Sequence, residues 1–246
     1  MQDTKTLDSM FGGRIKVVQD AAGYRFSIDA VVLAHHIRPK ATDTVIDLGT
    51  GCGIIPLILA YKESSANIIG VEIQKDLAEM ADKNVRLNNM EDLITIYHKD
   101  LKELKGALPA GSVDLVCSNP PYRKTGSGRV NPNSQRAIAR HEIKTRLHDI
   151  LETSAFFLKK AGRVILIYPV ERLTDLLYGM REFSLEPKLL RVVYSYVDSE
   201  AKLVILEGRK GGRPGMKIQH PLIIYNRDGS YTGEVQTMFG ITTVLS

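Results

Sequence analysis

The sequence predicts an α/β fold, a mostly parallel sheet with helices on both faces. Seven short, β-branched, apolar segments recur along the chain, as expected of strands buried on both faces. Stretches with helical hydrophobic spacing lie between them. The first core strand runs through Gly49-Thr50-Gly51-Cys52-Gly53 into a helical pattern, and open α/β sheets bind ligands at such strand ends.

The expected strands are Thr44–Leu48, Asn67–Ile73, Ile94–Lys99, Val113–Ser118, Arg163–Tyr168, Leu190–Ser195 and Lys202–Leu206. The short Val197–Ala201 connection makes the last two a closing antiparallel hairpin. Gly53–Glu63 reads as a helix directly after the glycine turn. Gln74–Asn89 carries Leu77, Met80, Ala81 and Val85 at helical spacing. Glu142–Lys160 repeats that pattern with Ile143, Leu147, Ile150, Leu151, Ala155 and Leu158, and Gly162 follows as a stop. Glu171–Phe183 is a further helix. Ahead of the core, Arg14–Gln19 and Tyr24–Ser27 flank Asp20-Ala21-Ala22-Gly23 as a hairpin, and a helix follows over Asp29–Ile37. Behind it, Leu222–Tyr225 and Tyr231–Val235 flank the turn signal Asn226–Ser230, a short β extension. We expect one domain over 1–246, with 1–40 as hairpin and helix, 41–210 as catalytic core and 211–246 as extension.

Composition narrows the class. The 246 residues are 43% hydrophobic and 25% charged, which excludes disordered, collagenous and coiled-coil readings. The apolar run Ile54–Tyr61 is far short of the ~18 residues that span a membrane. The start, Met1-Gln2-Asp3-Thr4-Lys5, has no apolar region of a secretory leader. Two cysteines cannot form a disulfide framework, so a reducing, cytoplasmic compartment is expected. The six histidines show no ligand spacing with the cysteines, and no metal is expected.

The net charge of +5 is modest, but it is concentrated. Asn119–Arg146 holds seven basic residues, Arg123, Lys124, Arg129, Arg136, Arg140, Lys144 and Arg146, against the single acid Glu142. Glu207–Lys217 holds Arg209, Lys210, Arg213 and Lys217 against Glu207. Either stretch could be a solvated loop. Together they are candidates for binding phosphate backbone.

The glycine turn departs from two common patterns. A dinucleotide fingerprint counted from Gly49 needs a third glycine where Ile54 stands, and no P-loop pattern occurs. Glu72, 19 residues after Gly53, closes the second strand, where a carboxylate can accept from both hydroxyls of a ribose. Asp100 closes the third, where it could accept from an adenine amino group. Asp47, Gly49, Thr50, Gly51, Gly53, Glu72, Ile73, Asp100 and Leu101 therefore make a candidate nucleoside site.

Ser118-Asn119-Pro120-Pro121-Tyr122 follows the fourth strand. Two prolines fix φ and remove two backbone donors, leaving a stiff turn with carbonyls free to accept. The Asn119 side chain adds an acceptor, and Tyr122 a flat ring for stacking. Acceptors beside a ring suit an exocyclic or amide –NH2, held with its nitrogen lone pair aimed outward. Asn119, Pro120, Pro121 and Tyr122 are thus the candidate catalytic residues, with Asn119 also bordering the nucleoside site.

This pair, Asp47–Gly53 and Asn119–Tyr122, resembles the class I S-adenosylmethionine-dependent methyltransferases that act on amino groups. The resemblance implies a Rossmann-like, seven-stranded sheet with its last strand antiparallel. It implies that the glycine loop and Glu72 hold S-adenosyl-L-methionine, that Asp100 contacts its adenine and that the Asn119–Tyr122 turn holds the target amine. Asp47 would orient the ligand's amino-acid end or hold the loop. Over most of the chain, Phe26–Ala34, Gly70–Gln74, Ala137–Glu142 and Glu207–Pro214 are similar to the bacterial tRNA (adenine-N6) methyltransferases, which modify adenine 37 of a valine tRNA. That implies tRNA as partner, with Arg123, Lys124, Arg129, Arg136, Arg140, Arg209, Lys210 and Arg213 on the RNA, and a monomer. Cys52 stands at a loop position where this subfamily varies. The Phe26–Asp29 segment would cover the cofactor or simply pack the hairpin.

The alternatives are a glutamine-amide protein methyltransferase and an rRNA guanine-N2 methyltransferase. The first carries a helical N-terminal domain in its release-factor form, and only about 40 residues precede the first core strand here. A DNA adenine methyltransferase should carry a recognition insertion, which is not visible. A non-catalytic RNA-binding module would not need the Asn119–Tyr122 turn.

Overall fold

Period-two alternation sorts the central strands between two layers. In β3 (Thr44–Leu48), Val45 packs to one side of the sheet, and Ile46 and Leu48 to the other. The structure is a computed structural model and describes residues 5–20, 27–120 and 147–241. Beyond β3 the core strands are β4 (Asn67–Glu72), β5 (Ile94–His98), β6 (Val113–Ser118), β7 (Leu158–Pro169), β8 (Leu185–Tyr194) and β9 (Ala201–Lys210). They lie in the order β5-β4-β3-β6-β7-β9-β8. Only β9 runs antiparallel to its neighbours in this set. The seven expected strands are all present, and the last is antiparallel as expected.

On one face pack α1 (Ile28–His36), α2 (Ile54–Lys62) and α3 (Lys75–Leu87). On the other pack the helix over 147–157 (α4), the 3-10 turn Leu101–Gly106 and α5 (Leu173–Glu182). The expected helix over Glu142–Lys160 begins outside the described residues, and it ends before Leu158. Leu158–Lys160 instead begin β7. Leu158 pairs Val113 and Arg163 pairs Leu115, so β7 takes extra residues there as a bulge around Ala161, whose φ is 64°.

Both terminal extensions differ from expectation. The hairpin exists, but its strands are β1 (Lys5–Met10) and β2 (Ile15–Asp20). The second strand expected at Tyr24–Ser27 lies, apart from Ser27, outside the described residues, and the strand paired with Ile15–Asp20 is Lys5–Met10. The turn falls at Phe11–Gly12–Gly13, all at positive φ, a conformation that two glycines make accessible. Phe11 is held there against Tyr61, with ring centroids 4.7 Å apart, and donates its N–H to the Phe239 carbonyl at 3.2 Å. At the other end, β10 (Lys217–Ile218) and β11 (Leu222–Ile223) add to β8 in parallel, so the sheet reaches nine strands. Tyr225 and Tyr231 form one antiparallel bridge. The expected strand Tyr231–Val235 then gives way to α6 (Gly233–Met238), which buries Val235 and Met238. Those two residues are three apart, the helical spacing, and the Thr232 hydroxyl ties the residue before the helix to the Ile223 carbonyl at 2.7 Å.

Among the described residues, no helix is long and apolar enough to cross a membrane. Leu57 is fully buried where α2 meets the sheet. Leu57→Ala should cost about 2–5 kcal/mol of stability, measured by urea denaturation. A loss below ~1 kcal/mol would contradict this packing.

Candidate active site at the carboxyl ends of the central strands

After β3 the chain order runs outward to β4 and β5, then returns to β6 on β3's other side. The carboxyl ends of β3 and β6 therefore flank a topological switch point, where α/β sheets leave a crevice. The glycine loop lies there. Gly49, Gly51 and Gly53 have φ of 79°, 58° and 85°, a region that residues with side chains adopt only at a cost. Gly49 and Thr50 donate to the Val71 carbonyl at 2.8 and 3.0 Å, which pins the loop to the end of β4. A side chain at Gly49 would meet only open space, whereas one at Gly53 would stand 3.2 Å from the Ala81 Cβ of α3.

Glu72 is buried and accepts two backbone hydrogen bonds. Gly51 donates to Oε2 at 2.9 Å and Gln74 to Oε1 at 2.9 Å. Each oxygen keeps a second lone pair for a hydroxyl donor. Ile73, beside it, is 60% exposed, a free apolar surface at the crevice. Its carbonyl contacts His98 Nε2 at 3.2 Å. Asp100 accepts from Lys102 N–H through Oδ1 at 3.0 Å, and Leu101 opens the 3-10 turn behind it. Asp47, Gly49, Thr50, Gly51, Gly53, Glu72, Ile73, Asp100 and Leu101 are thus brought to the ends of three adjacent strands.

Asp47 is fully buried, in register between Gly70 and Cys117. Gly70 leaves room for Thr50, since a Cβ there would lie 3.0 Å from Thr50 Cγ2. The Cys117 thiol donates to Asp47 Oδ1 at 3.7 Å. Among the described residues, Asp47 Oδ2 and Thr50 Oγ1 are buried without a hydrogen bond of good geometry, although the Thr50 hydroxyl lies near enough to the Asp47 carboxyl to act on it. Burial pushes the Asp47 carboxyl up to about 7; Thr50 and Cys117 pull it down, and Glu72 pushes it up further.

Asn119 and Pro120 follow β6 directly. Ser118, which sequence reasoning passed over, donates to the Leu48 carbonyl at 2.6 Å and so holds the start of the turn beside Gly49. Its signal was only its place before Asn119. Pro121, Tyr122, Arg123, Lys124, Arg129, Arg136 and Arg140 lie outside the described residues.

The second basic segment is placed elsewhere. Because β9 is antiparallel, its end lies at the amino ends of the parallel strands. Arg209 pairs Arg163, which pairs Leu115, which pairs Val45. That is about 10 Å down the sheet from the Ser118 level at ~3.3 Å per residue. Lys210 donates to the Leu158 carbonyl at 2.8 Å, and the Arg213 carbonyl accepts from Lys188. Arg209, Lys210 and Arg213 are thus not brought to the glycine loop. A cleft of about 580 Å³, floored by Ile165 and Glu207 and walled by Arg38 and Arg163, also lies away from it.

The strand ends thus carry a glycine loop at a switch point, a carboxylate closing the second strand and Asn119-Pro120 after the fourth, on an α/β fold. Residues 23–170 match the family described as the methyltransferase small domain, and the chain belongs to that family of methyltransferases. It is similar to the tRNA1(Val) (adenine(37)-N6)-methyltransferase of Porphyromonas gingivalis strain W83, at 30% identity over 88% of this chain and 87% of that one. The protein of the same name from Parabacteroides distasonis is 29% identical over 79% and 80% of the two chains. Among solved structures, a predicted O-methyltransferase, Atu636 from Agrobacterium tumefaciens, superposes with a TM-score of 0.70 at 18% identity, over 87% and 96% of the chains. Pyrococcus horikoshii TYW2 in complex with MeSAdo superposes at 0.59, also at 18% identity, over 86% and 73%. These two share the fold.

The raised Asp47 carboxyl carries a signed prediction. Between about pH 4, where a free aspartate ionises, and about 7, the native state holds a proton that the unfolded chain releases. The site's contribution to stability is therefore complete below that window and is lost as pH rises through it. Asp47→Asn should gain stability relative to wild type as pH rises from 4.5 to 7.5, read from paired urea melts. A pH-independent difference would contradict the burial of an ionisable group there.

Proposed function

We propose that the protein is an S-adenosylmethionine-dependent N-methyltransferase acting on the exocyclic amine of an adenine in tRNA, adenine 37 of a valine tRNA by analogy with its relatives. One observation supports this site: Ser118 is bonded to the Leu48 carbonyl beside Gly49, so Asn119 follows directly after a strand end that adjoins the glycine loop. The relatives' names carry the substrate.

The residues present fit the cofactor. Glu72 has acceptor capacity left for two ribose hydroxyls. Ile73 offers an apolar face and Asp100 a second carboxylate. The open space over Gly49 admits a ligand close to backbone. Asp47, buried after Ile46 in β3, would orient the amino-acid end of the cofactor or hold the loop. S-adenosylmethionine, when bound, supplies a methyl group on a positively charged sulfur. The chain's part is to hold and orient. Asn119 accepts a hydrogen bond from the target amine, the prolines keep the turn stiff, and Tyr122 stacks on the base. An aromatic amine is a weak nucleophile because its lone pair is conjugated into the ring, and acceptors on its N–H groups favour release of that lone pair. No base is needed beforehand, since the methylated nitrogen loses its proton to water once it is positively charged. Alignment of this kind lowers barriers by up to ~7–11 kcal/mol in well-oriented systems. An anticodon-loop base is already partly unstacked, which lowers the cost of turning it into the crevice.

The 123–146 segment follows the turn in the chain and would set the RNA's register through phosphates. Arg209 and Arg213, at the sheet's other end, would reach a more distant part of the same RNA.

Asn119→Ala should abolish methyl transfer to tRNA while S-adenosylmethionine binding persists, measured by tritium transfer and calorimetry. Full activity in the variant would remove Asn119 from the reaction. Mass spectrometry of tRNA nucleosides from cells lacking the protein should show loss of one N6-methyladenosine, and an unchanged level would overturn the assignment. Arg140→Ala combined with Arg213→Ala should weaken tRNA binding and flatten its salt dependence by roughly 0.7–0.9 in slope for each phosphate that is no longer neutralised. An unchanged slope would remove both segments from the interface.

A further inference from the structure

Asn84 lies in α3, and its side chain is fully buried. Its carboxamide makes bonds to two separate parts of the chain. Oδ1 accepts from Val18 N–H at 2.8 Å, and Nδ2 donates to the Val18 carbonyl at 3.0 Å. Nδ2 also donates to the Cys52 carbonyl in the glycine loop at 3.0 Å. One turn along, Asn88 treats Lys16 the same way: Oδ1 accepts from Lys16 N–H at 2.8 Å and Nδ2 donates to its carbonyl at 2.7 Å. The spacing explains the match. Four helical residues advance about 6 Å, and two strand residues about 6.7 Å. Two asparagines four apart can therefore stand in for a third strand along the outer edge of β2.

Only Asn84 continues to the loop. The Cys52 carbonyl needs a donor because the residue four positions on, where a helix would supply one, is Pro56. The same peptide unit is held at its other end, where Gly53 N–H donates to the Thr50 carbonyl at 3.0 Å. Its plane, between Gly51 and Gly53 at positive φ, is thus set from both sides, and one of those sides is the group that holds the hairpin.

We infer that Asn84 is a positioning residue that ties the shape of the glycine loop to the docked N-terminal hairpin, so that hairpin and cofactor loop act as one coupled unit. This rests on the reading that the loop binds S-adenosylmethionine. Without Asn84 the Cys52 carbonyl turns to water, and the loop must be returned to its present shape whenever cofactor binds. Coupling is reciprocal, so bound cofactor steadies the hairpin edge.

The test compares full-length Asn84→Ala with Asn88→Ala. Each loses two bonds to β2 and one other: Asn84→Ala the bond to the loop, Asn88→Ala a bond within α3 to the Asn84 carbonyl at 2.7 Å. Asn84→Ala should weaken S-adenosylmethionine binding about tenfold by calorimetry, as expected for one buried acceptor left unpaired. It should raise the KM for cofactor while kcat at saturation changes less than about twofold. Asn88→Ala should leave both within about twofold. In the wild type, saturating cofactor should slow hydrogen exchange at the Val18 amide, and Asn84→Ala should abolish that slowing. Should Asn84→Ala not fold, the wild-type exchange measurement serves in its place, and an unchanged Val18 exchange rate on cofactor binding would overturn the coupling. Equal effects of the two substitutions on cofactor binding would overturn the coupling. Glu72→Gln tests the underlying reading separately. If it binds cofactor like the wild type, the site assignment fails. If it weakens binding and Asn84→Ala does not, the coupling alone fails.

Discussion

The Glu72 carboxylate sits at the end of β4 and receives one backbone N–H from the glycine loop and one from the start of α3. A buried anion is tolerated only when donors surround it, and here those donors belong to the two segments that must be shaped around a ligand. The neighbouring features follow from that placement. Gly70 has no side chain, so Thr50 can lie over β4. Asp47 fits in register between Gly70 and Cys117. Gly53 has no Cβ, so Ala81 of α3 closes against the loop. The crevice is therefore a consequence of parallel register at β3, β4 and β6, with one carboxylate holding the connections in place.

The two ends of the sheet have different characters. At the carboxyl ends, acids and glycines surround open space, and Ser118 brings Asn119 to them. At the amino ends lie Arg163, Arg209 and Lys210, partly engaged with carbonyls such as those of Arg38 and Leu158. A net charge of +5 thus describes neither end.

Much of the fold was legible because parallel strands buried on both faces leave a plain apolar signature. Thr44–Leu48, Asn67–Glu72 and Val113–Ser118 are read directly from β-branched runs between turn signals. The glycine loop and Glu72 were legible for a local reason, since both depend on residues adjacent in the chain. The terminal elements were not. The turn at Phe11–Gly13 is fixed by Phe11 packing on Tyr61 and by the Phe239 carbonyl, both distant in sequence. Val235 and Met238 fit a helical spacing as well as a strand residue fits alternation, and the Thr232 hydroxyl ties the residue before the helix only once Ile223 is in place. Asn84 has no local signal, because its partners Val18 and Cys52 lie 66 and 32 residues away.

The sequence by itself determined the class of fold and the strand ends at which the glycine loop and its neighbouring carboxylates lie. These follow from side-chain period, backbone freedom at glycine and proline, and donor and acceptor chemistry, all local properties. Only the tertiary structure decided which polar groups are buried together and which cations share an end of the sheet. The antiparallel course of β9 carried Arg209 and Lys210 away from the crevice, and the packing of α3 turned Asn84 inward to join the hairpin to the loop. Both outcomes depend on strand direction and on contacts between segments far apart in the chain, which no local pattern encodes.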